Sequence, residues 1–88
     1  MANRNYRYSY AIRPENDEKA FLKTRKLIGK SIKGLKKEKL ITDVDGSHVQ
    51  LYYLDDQKIA VYNDFDIGAV YVNSDIPLEE ILGTTSVW

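Results

Sequence analysis

The chain has 88 residues, no cysteine, and 13 basic against 13 acidic side chains for a formal net charge of zero. That length makes one core with no room for a second. The missing cysteine excludes disulfides, thiolate nucleophiles and cysteine-ligated zinc or iron–sulfur sites. The sequence offers no apolar h-region and no apolar run near the roughly 20 residues of a membrane span, so the expectation is a cytoplasmic protein without a membrane partner. Frequent Lys, Ile, Asn and Tyr suit an AT-rich source such as a low-GC bacterium or its phage.

The zero net charge hides a separation. From Glu18 to Lys39 nine bases face two acids, or +7, and from Thr42 to Trp88 nine acids face one base, or −8. A basic third is followed by an acidic half, and this asymmetry is the least generic property of the chain.

In chain order, Tyr6 to Ile12 alternates large apolar with small or basic residues, the period of a half-buried strand. Tyr10 and Ile12 are expected to line the core, with Tyr8 and Tyr6 at its rim and their hydroxyls toward water. Pro14 ends the strand. Asn16 or Asp17 then caps a helix whose first turn is acidic, complementing the helix dipole. On that helix Phe21, Ile28, Ile32 and Leu35 fall within about 60° of one another. Lys19, Lys23, Lys26, Lys30, Lys33 and Lys37 occupy the opposite side, within about 80°. Gly29 and Gly34 each cost about 1 kcal/mol relative to alanine, so Gly34 marks a kink or an early end.

A meander follows. Asp45-Gly46 lies between alternating runs and reads as a two-residue hairpin turn, which pairs Leu40 with Leu51 and Thr42 with Val49. "LDDQK" and "NDFDIG" are the next two turns. Alternation then puts Leu40, Thr42, Val44, Val49, Leu51, Tyr53, Ile59, Val61, Val70 and Val72 on one face, under the helix. Ile41, His48, Gln50, Tyr52, Ala60, Tyr62, Ala69 and Tyr71 fall on the other, open face. Pro77 begins a short helix that Gly83 stops, and residues 84–88 read as a frayed tail. The expected fold is α+β, a single domain over 1–88. One long amphipathic helix packs on a four- to five-stranded antiparallel meander sheet in the order β-α-β-β-β-β-α, with a short C-terminal helix.

Two surfaces are candidate sites. Tyr52, Tyr62 and Tyr71, on successive strands about 4.8 Å apart, form a strip suited to a protein hot spot. Asp64 and Asp66 nearby would repel nucleic acid and steer a partner with a basic patch. The six lysines are the alternative site, for the phosphates of a nucleic acid; lysine in place of arginine argues against bidentate base reading. Other patterns carry no chemistry. The pairs Asp43/Asp45, Asp55/Asp56 and Asp64/Asp66 sit in turns, where aspartate is expected, and "DVDGS" lacks calcium-loop spacing. His48 is the only histidine, and Ser47 beside it points to the opposite strand face. No catalytic residue, metal site or cofactor is therefore expected. The leading function is a non-enzymatic protein-binding module acting by surface occlusion, such as an inhibitor, immunity or accessory protein. A nucleic-acid-binding protein and a charge-complementary homo-oligomer are the alternatives.

Overall fold

A computed structural model describes residues 6–86. The elements are β1 (Tyr8–Arg13), α1 (Glu18–Ser31), β2 (Lys36–Lys37), β3 (Ile41–Thr42), β4 (His48–Leu54), β5 (Gln57–Asp64), β6 (Ala69–Ser74) and α2 (Glu79–Leu82). All strand pairs are antiparallel, in the order β1-β6-β5-β4-β2, and β3 also pairs with β4. The architecture is α+β, with α1 laid across the sheet over β5 and touching α2. The sheet has six strands because Lys36–Lys37, expected at the end of the helix, forms the additional short strand β2 on β4 ahead of β3.

Asp17 caps α1, its Oδ1 accepting the Ala20 N–H at 3.0 Å. Phe21, Thr24 and Ile28 are the buried positions. The helix stops at Ser31: Ile32 is extended and Gly34 takes a positive φ of 81° that suits glycine. Lys33 and Lys37 therefore leave the helix, Lys37 entering β2. The helical stripe is Lys19, Lys23, Lys26 and Lys30, not six lysines. Asn16 ties the start of α1 to the sheet by donating to Asn63 Oδ1 at 2.8 Å and to the Asp64 carbonyl at 3.0 Å.

The main correction concerns β4. The β3–β4 loop has three residues, Val44 to Gly46, closed by Asp43 N–H to the Ser47 carbonyl at 2.8 Å, with Gly46 at φ 91°. Thr42 thus faces His48 rather than Val49. On the other side, β4 and β5 are joined by only two residues, Asp55 and Asp56, with Leu54 opposite Gln57. Asp55 carries the positive φ of 58° that this tight turn requires. A one-residue slip sends every side chain of a strand to the other face. His48, Gln50 and Tyr52 accordingly point toward the helix, and Val49, Leu51 and Tyr53 point away. Val44, expected in the core, is fully exposed in the loop. The assignments of Ile59, Val61, Val70 and Val72 to the core face, and of Ile41, Ala60, Tyr62, Ala69 and Tyr71 to the other, agree with the register.

The core is Tyr10, Phe21, Ile28, Tyr52, Ile59, Val61, Val70, Val72 and Leu78, with Ile12, Ile32, Leu35 and Leu40 packed at its margin. Burial of each large apolar side chain is worth about 1.5–3 kcal/mol. Two tyrosines in it are tied down. The Tyr10 hydroxyl accepts the Leu78 N–H at 2.8 Å, and the Tyr52 hydroxyl donates to the Arg25 carbonyl at 2.9 Å. Gln50, 1% exposed, fills the break between β2 and β3. Its amide donates to the Glu38 and Leu51 carbonyls and accepts from Arg25 Nη2 at 2.8 Å.

Gln50→Leu keeps the volume but strands the Glu38 carbonyl and the Arg25 guanidinium. We expect a loss of about 2–3 kcal/mol in urea unfolding.

Candidate functional site

The cross-strand register builds the site. On the sheet face away from α1, Ile41 lies opposite Val49, Val49 opposite Tyr62, Tyr62 opposite Tyr71, and Tyr71 opposite Ala11. One apolar row therefore runs across β3, β4, β5, β6 and β1. At its centre the Tyr62 and Tyr71 rings stack, 4.6 Å apart and 14° from parallel. The next row, Leu51, Ala60, Asn73 and Ser9, is largely closed: Ala60 is fully buried and Asn73 and Ser9 nearly so.

Tyr6 accounts for part of that closure. The chain bends before β1, so Tyr6 leaves the face of Tyr8 and Tyr10 and crosses to the far side of the sheet. There its hydroxyl hydrogen-bonds to Tyr62, and Lys58 Nζ lies 5.6 Å from its ring centre. Tyr62 and Lys58 flank Ala60 on β5, so Tyr6 spans the buried row. The expected rim position of Tyr6 on the helix side is thus corrected. Tyr8 does sit at the core margin, half-buried, stacked on Tyr10 at 6.4 Å. The frayed-tail reading meets one contact: Ser86 Oγ accepts the Ser9 N–H at 3.0 Å, while residues 87 and 88 lie outside the described residues.

Two loops extend the open row at one end of the sheet. Phe65 donates its N–H to Ser47 Oγ at 2.8 Å, and a methyl added to Gly46 would stand 3.4 Å from the Phe65 ring. The β3–β4 and β5–β6 loops are therefore in contact. Of the five exposed large hydrophobic side chains among the described residues, Ile41, Val44, Phe65 and Ile67 all lie here, and only Leu22 lies elsewhere. The same end collects acid. Asp43, Asp45 and Asp66 belong to the loops and Asp64 ends β5, and the Asn16 contacts to Asn63 and Asp64 bring Glu15, Asp17 and Glu18 to that end too.

The expected tyrosine strip is thus revised. Tyr62 and Tyr71 stand together on the open face. Tyr52 does not join them, being 2% exposed beneath α1 as a consequence of the β4 flip. Tyr6 takes the third place. Asp64 is occupied locally: Oδ1 accepts the Asp66 N–H at 2.9 Å and the Ile67 N–H at 3.3 Å, and Oδ2 accepts the Tyr71 hydroxyl at 2.9 Å. Asp66 remains exposed. The other aspartates also order turns, Asp45 accepting the Ser47 N–H at 2.9 Å and Asp43 the Val44 N–H at 2.7 Å. His48 packs against Phe21 at 5.8 Å and faces Glu18 at 3.5 Å. On α1, Lys19, Lys23, Lys26 and Lys30 are exposed, and none pairs with a carboxylate among the described residues.

Sequence reasoning missed the loop residues, although a signal for them existed. Val44, Phe65 and Ile67 are large apolar residues inside aspartate-rich turns, where polar ones are expected. No protein-family model, no curated protein and no solved structure matches the chain.

The tyrosines give a pH test. Burial pushes the Tyr6 hydroxyl up to about 12, helped by Tyr62 and Asp75. Burial, followed by the hydrogen bond to Asp64, also raises Tyr71, and burial raises Tyr10 and Tyr52. A group whose pKa rises on folding stabilises fully below its unfolded value, near 10 for tyrosine, and loses that contribution as pH climbs through the folded value. Stability is expected to fall from about pH 10 upward. Phenolate absorbance should show these hydroxyls ionising together with unfolding rather than before it, and Tyr6→Phe should make the decline shallower.

Proposed function

We propose that this chain is a non-enzymatic protein-binding module whose docking surface is the apolar end of the open sheet face. The observation that carries the proposal is the gathering, at the same end of the sheet as the Tyr62–Tyr71 stack, of four of the five exposed large hydrophobics among the described residues. Single exposed apolar residues are ordinary, but a contiguous patch rimmed by polar groups marks an interaction site. Aromatic anchors surrounded by a charged rim are also how protein interfaces concentrate their binding energy.

Charge complementarity selects the occupant. Seven acids surround this end of the molecule, so the partner is a protein presenting a basic patch around an apolar centre. Nucleic acid is repelled from the same surface. The mode of action is occlusion: a small domain covers a functional surface of its partner, as an inhibitor, immunity or accessory protein does. We place it in the cytoplasm, with a bacterial or phage source suiting the composition.

A second reading has one observation of its own, the four unpaired lysines on the outer face of α1. A nucleic acid tracking that stripe would bind without sequence preference, with a salt slope of about −4 for four neutralised phosphates. Self-association, with the acidic end of one copy on the basic helix of another, is the third reading.

The test compares three purified forms: the wild type, Phe65→Ser/Ile67→Ser, and Lys23→Glu/Lys26→Glu/Lys30→Glu. A partner is first recovered on the immobilised wild type and then titrated in pure form. The loop variant should weaken that complex by about 2–4 kcal/mol, and the lysine variant should change it little. The reverse pattern, with binding to labelled oligonucleotides at low salt, would replace this reading with the second. A concentration-dependent mass in sedimentation, abolished by high salt, would favour the third.

A further inference from the structure

A second surface lies on the helix side of the sheet, beside β2, which pairs with the opposite end of β4 from β3, and nothing in the docking proposal uses it. Between the C-terminal half of α1 and β2 there is a cleft of about 420 Å³. Three cations line it, Arg25 and Lys26 from α1 and Lys37 from β2. Leu22 and Leu35 form apolar walls, and Tyr52 closes the floor beside Gly29. The volume falls in the range of small-molecule sites, about 300–1,000 Å³, and the mixture of apolar wall and convergent charge is typical of them.

Arg25 separates this cleft from an ordinary lysine-rich surface. Its guanidinium lies 5.2 Å from the Phe21 ring centre, and Nη2 donates to the buried Gln50 amide at 2.8 Å. Those two contacts fix the orientation of the fork. No carboxylate pairs with it among the described residues, and its buried Nε has no hydrogen-bond partner. A held, unneutralised arginine has little entropy left to lose on taking an anion, and its planar donors match phosphoryl oxygens. Leu22, the one exposed large hydrophobic away from the loop end among the described residues, stands at the same cleft. Gly29 keeps it open. A methyl built there would meet only Tyr52 Cε2, at 3.9 Å, so backbone packing does not require the glycine. A helix interior ordinarily disfavours glycine, as noted above, and at this position the missing side chain leaves the floor of the cleft accessible.

We propose that this cleft binds an organic phosphate, the phosphoryl group held by Arg25, Lys26 and Lys37 and an apolar or aromatic body resting on Leu22 and Leu35. The source is either a free mononucleotide-like molecule or the phosphorylated end of a nucleic acid, since both present the same monoester.

The experiment is a nuclear magnetic resonance titration of the full chain with adenosine monophosphate, with inorganic phosphate, and with an oligonucleotide carrying a terminal phosphate monoester. Saturable shifts are expected at the Gly29 amide and the Arg25 Nε–H, with adenosine monophosphate binding more tightly than inorganic phosphate. Gly29→Leu fills the cleft while improving helix propensity, so its unfolding midpoint should match or exceed the parent. It should weaken binding at least about tenfold, as should Lys37→Glu, whereas Lys19→Glu, about 10 Å along the helix from Lys26, should change it by less than about threefold. Equal response to the mononucleotide and to the oligonucleotide end, with the same dependence on these variants, supports the proposal with nucleic acid as a source; response to the mononucleotide alone supports it with a free ligand. The proposal is overturned by any of three results. These are the absence of saturable shifts at about 10 mM adenosine monophosphate, unchanged affinity in folded Gly29→Leu, or a loss with Lys19→Glu as large as with Lys37→Glu.

Discussion

The two-residue turn at Asp55–Asp56 is the constraint on which the rest of the arrangement depends. An even-numbered connection with Leu54 opposite Gln57 puts Tyr52 and Ile59 on one face, and Gln50 and Val61 with them. Had the connection held an odd number of residues, Val49, Leu51 and Tyr53 would have gone under the helix. The chosen parity buries a glutamine and a tyrosine and leaves two aliphatic side chains on the outer sheet face, which is unfavourable by hydrophobic burial alone. Hydrogen bonding offsets it. The Gln50 amide uses both its carbonyl and its NH2, and the Tyr52 hydroxyl finds the Arg25 carbonyl. A buried amide fully satisfied in this way specifies one register, because in the slipped sheet it would have no such partners.

That dependence explains which parts were legible in advance. The cap at Asp17, the stop at Gly83 and the core positions Ile59, Val61, Val70 and Val72 follow from local rules of capping and alternation, and they stand. Strand β4 could not be read this way, because "HVQLYYL" is apolar on both alternating sets and its face is decided by loop lengths at its two ends. The "DVDG" segment contains Asp45-Gly46, a familiar two-residue turn, yet Val44 starts the loop and Gly46 serves as its left-handed third residue. At Asp55 the positive φ falls on an aspartate, with no glycine to mark it. Tyr52 was misplaced for this reason alone. Tyr6 was misplaced for another: a bend of the chain ahead of β1 carries it around the sheet edge, and alternation says nothing about bends. Phe65 and Ile67 are legible as apolar residues in an acidic turn, but the contact of Phe65 with the β3–β4 loop is a tertiary fact.

The charge separation in the sequence becomes a spatial one, although not between two faces. Acids gather at one end of the sheet, where the β3–β4 and β5–β6 loops meet the start of α1. Bases run along the outer side of α1 and into β2. Much of the acid is structural as well, since Asp43, Asp45 and Asp64 each accept backbone N–H groups in their own turns. These carboxylates order the loops that hold Val44, Phe65 and Ile67. Loop order and rim charge are therefore the same residues, which lets a surface that small be both rigid and electrostatically marked.

Strand β4 contributes to both proposed sites, one from each of its faces. Outward, Val49 continues the apolar row between Ile41 and Tyr62. Inward, Tyr52 floors the cationic cleft, and Gln50 holds the arginine that lines it. A single parity choice thus assigns the aliphatic set of β4 to the outer sheet face and its polar set to the side beneath the helix. Reversing it would bury Val49 and Leu51, interrupt the apolar row between Ile41 and Tyr62, and release Arg25 from Gln50. The amide that makes the less hydrophobic register stable is for that reason also the group that joins the two surfaces.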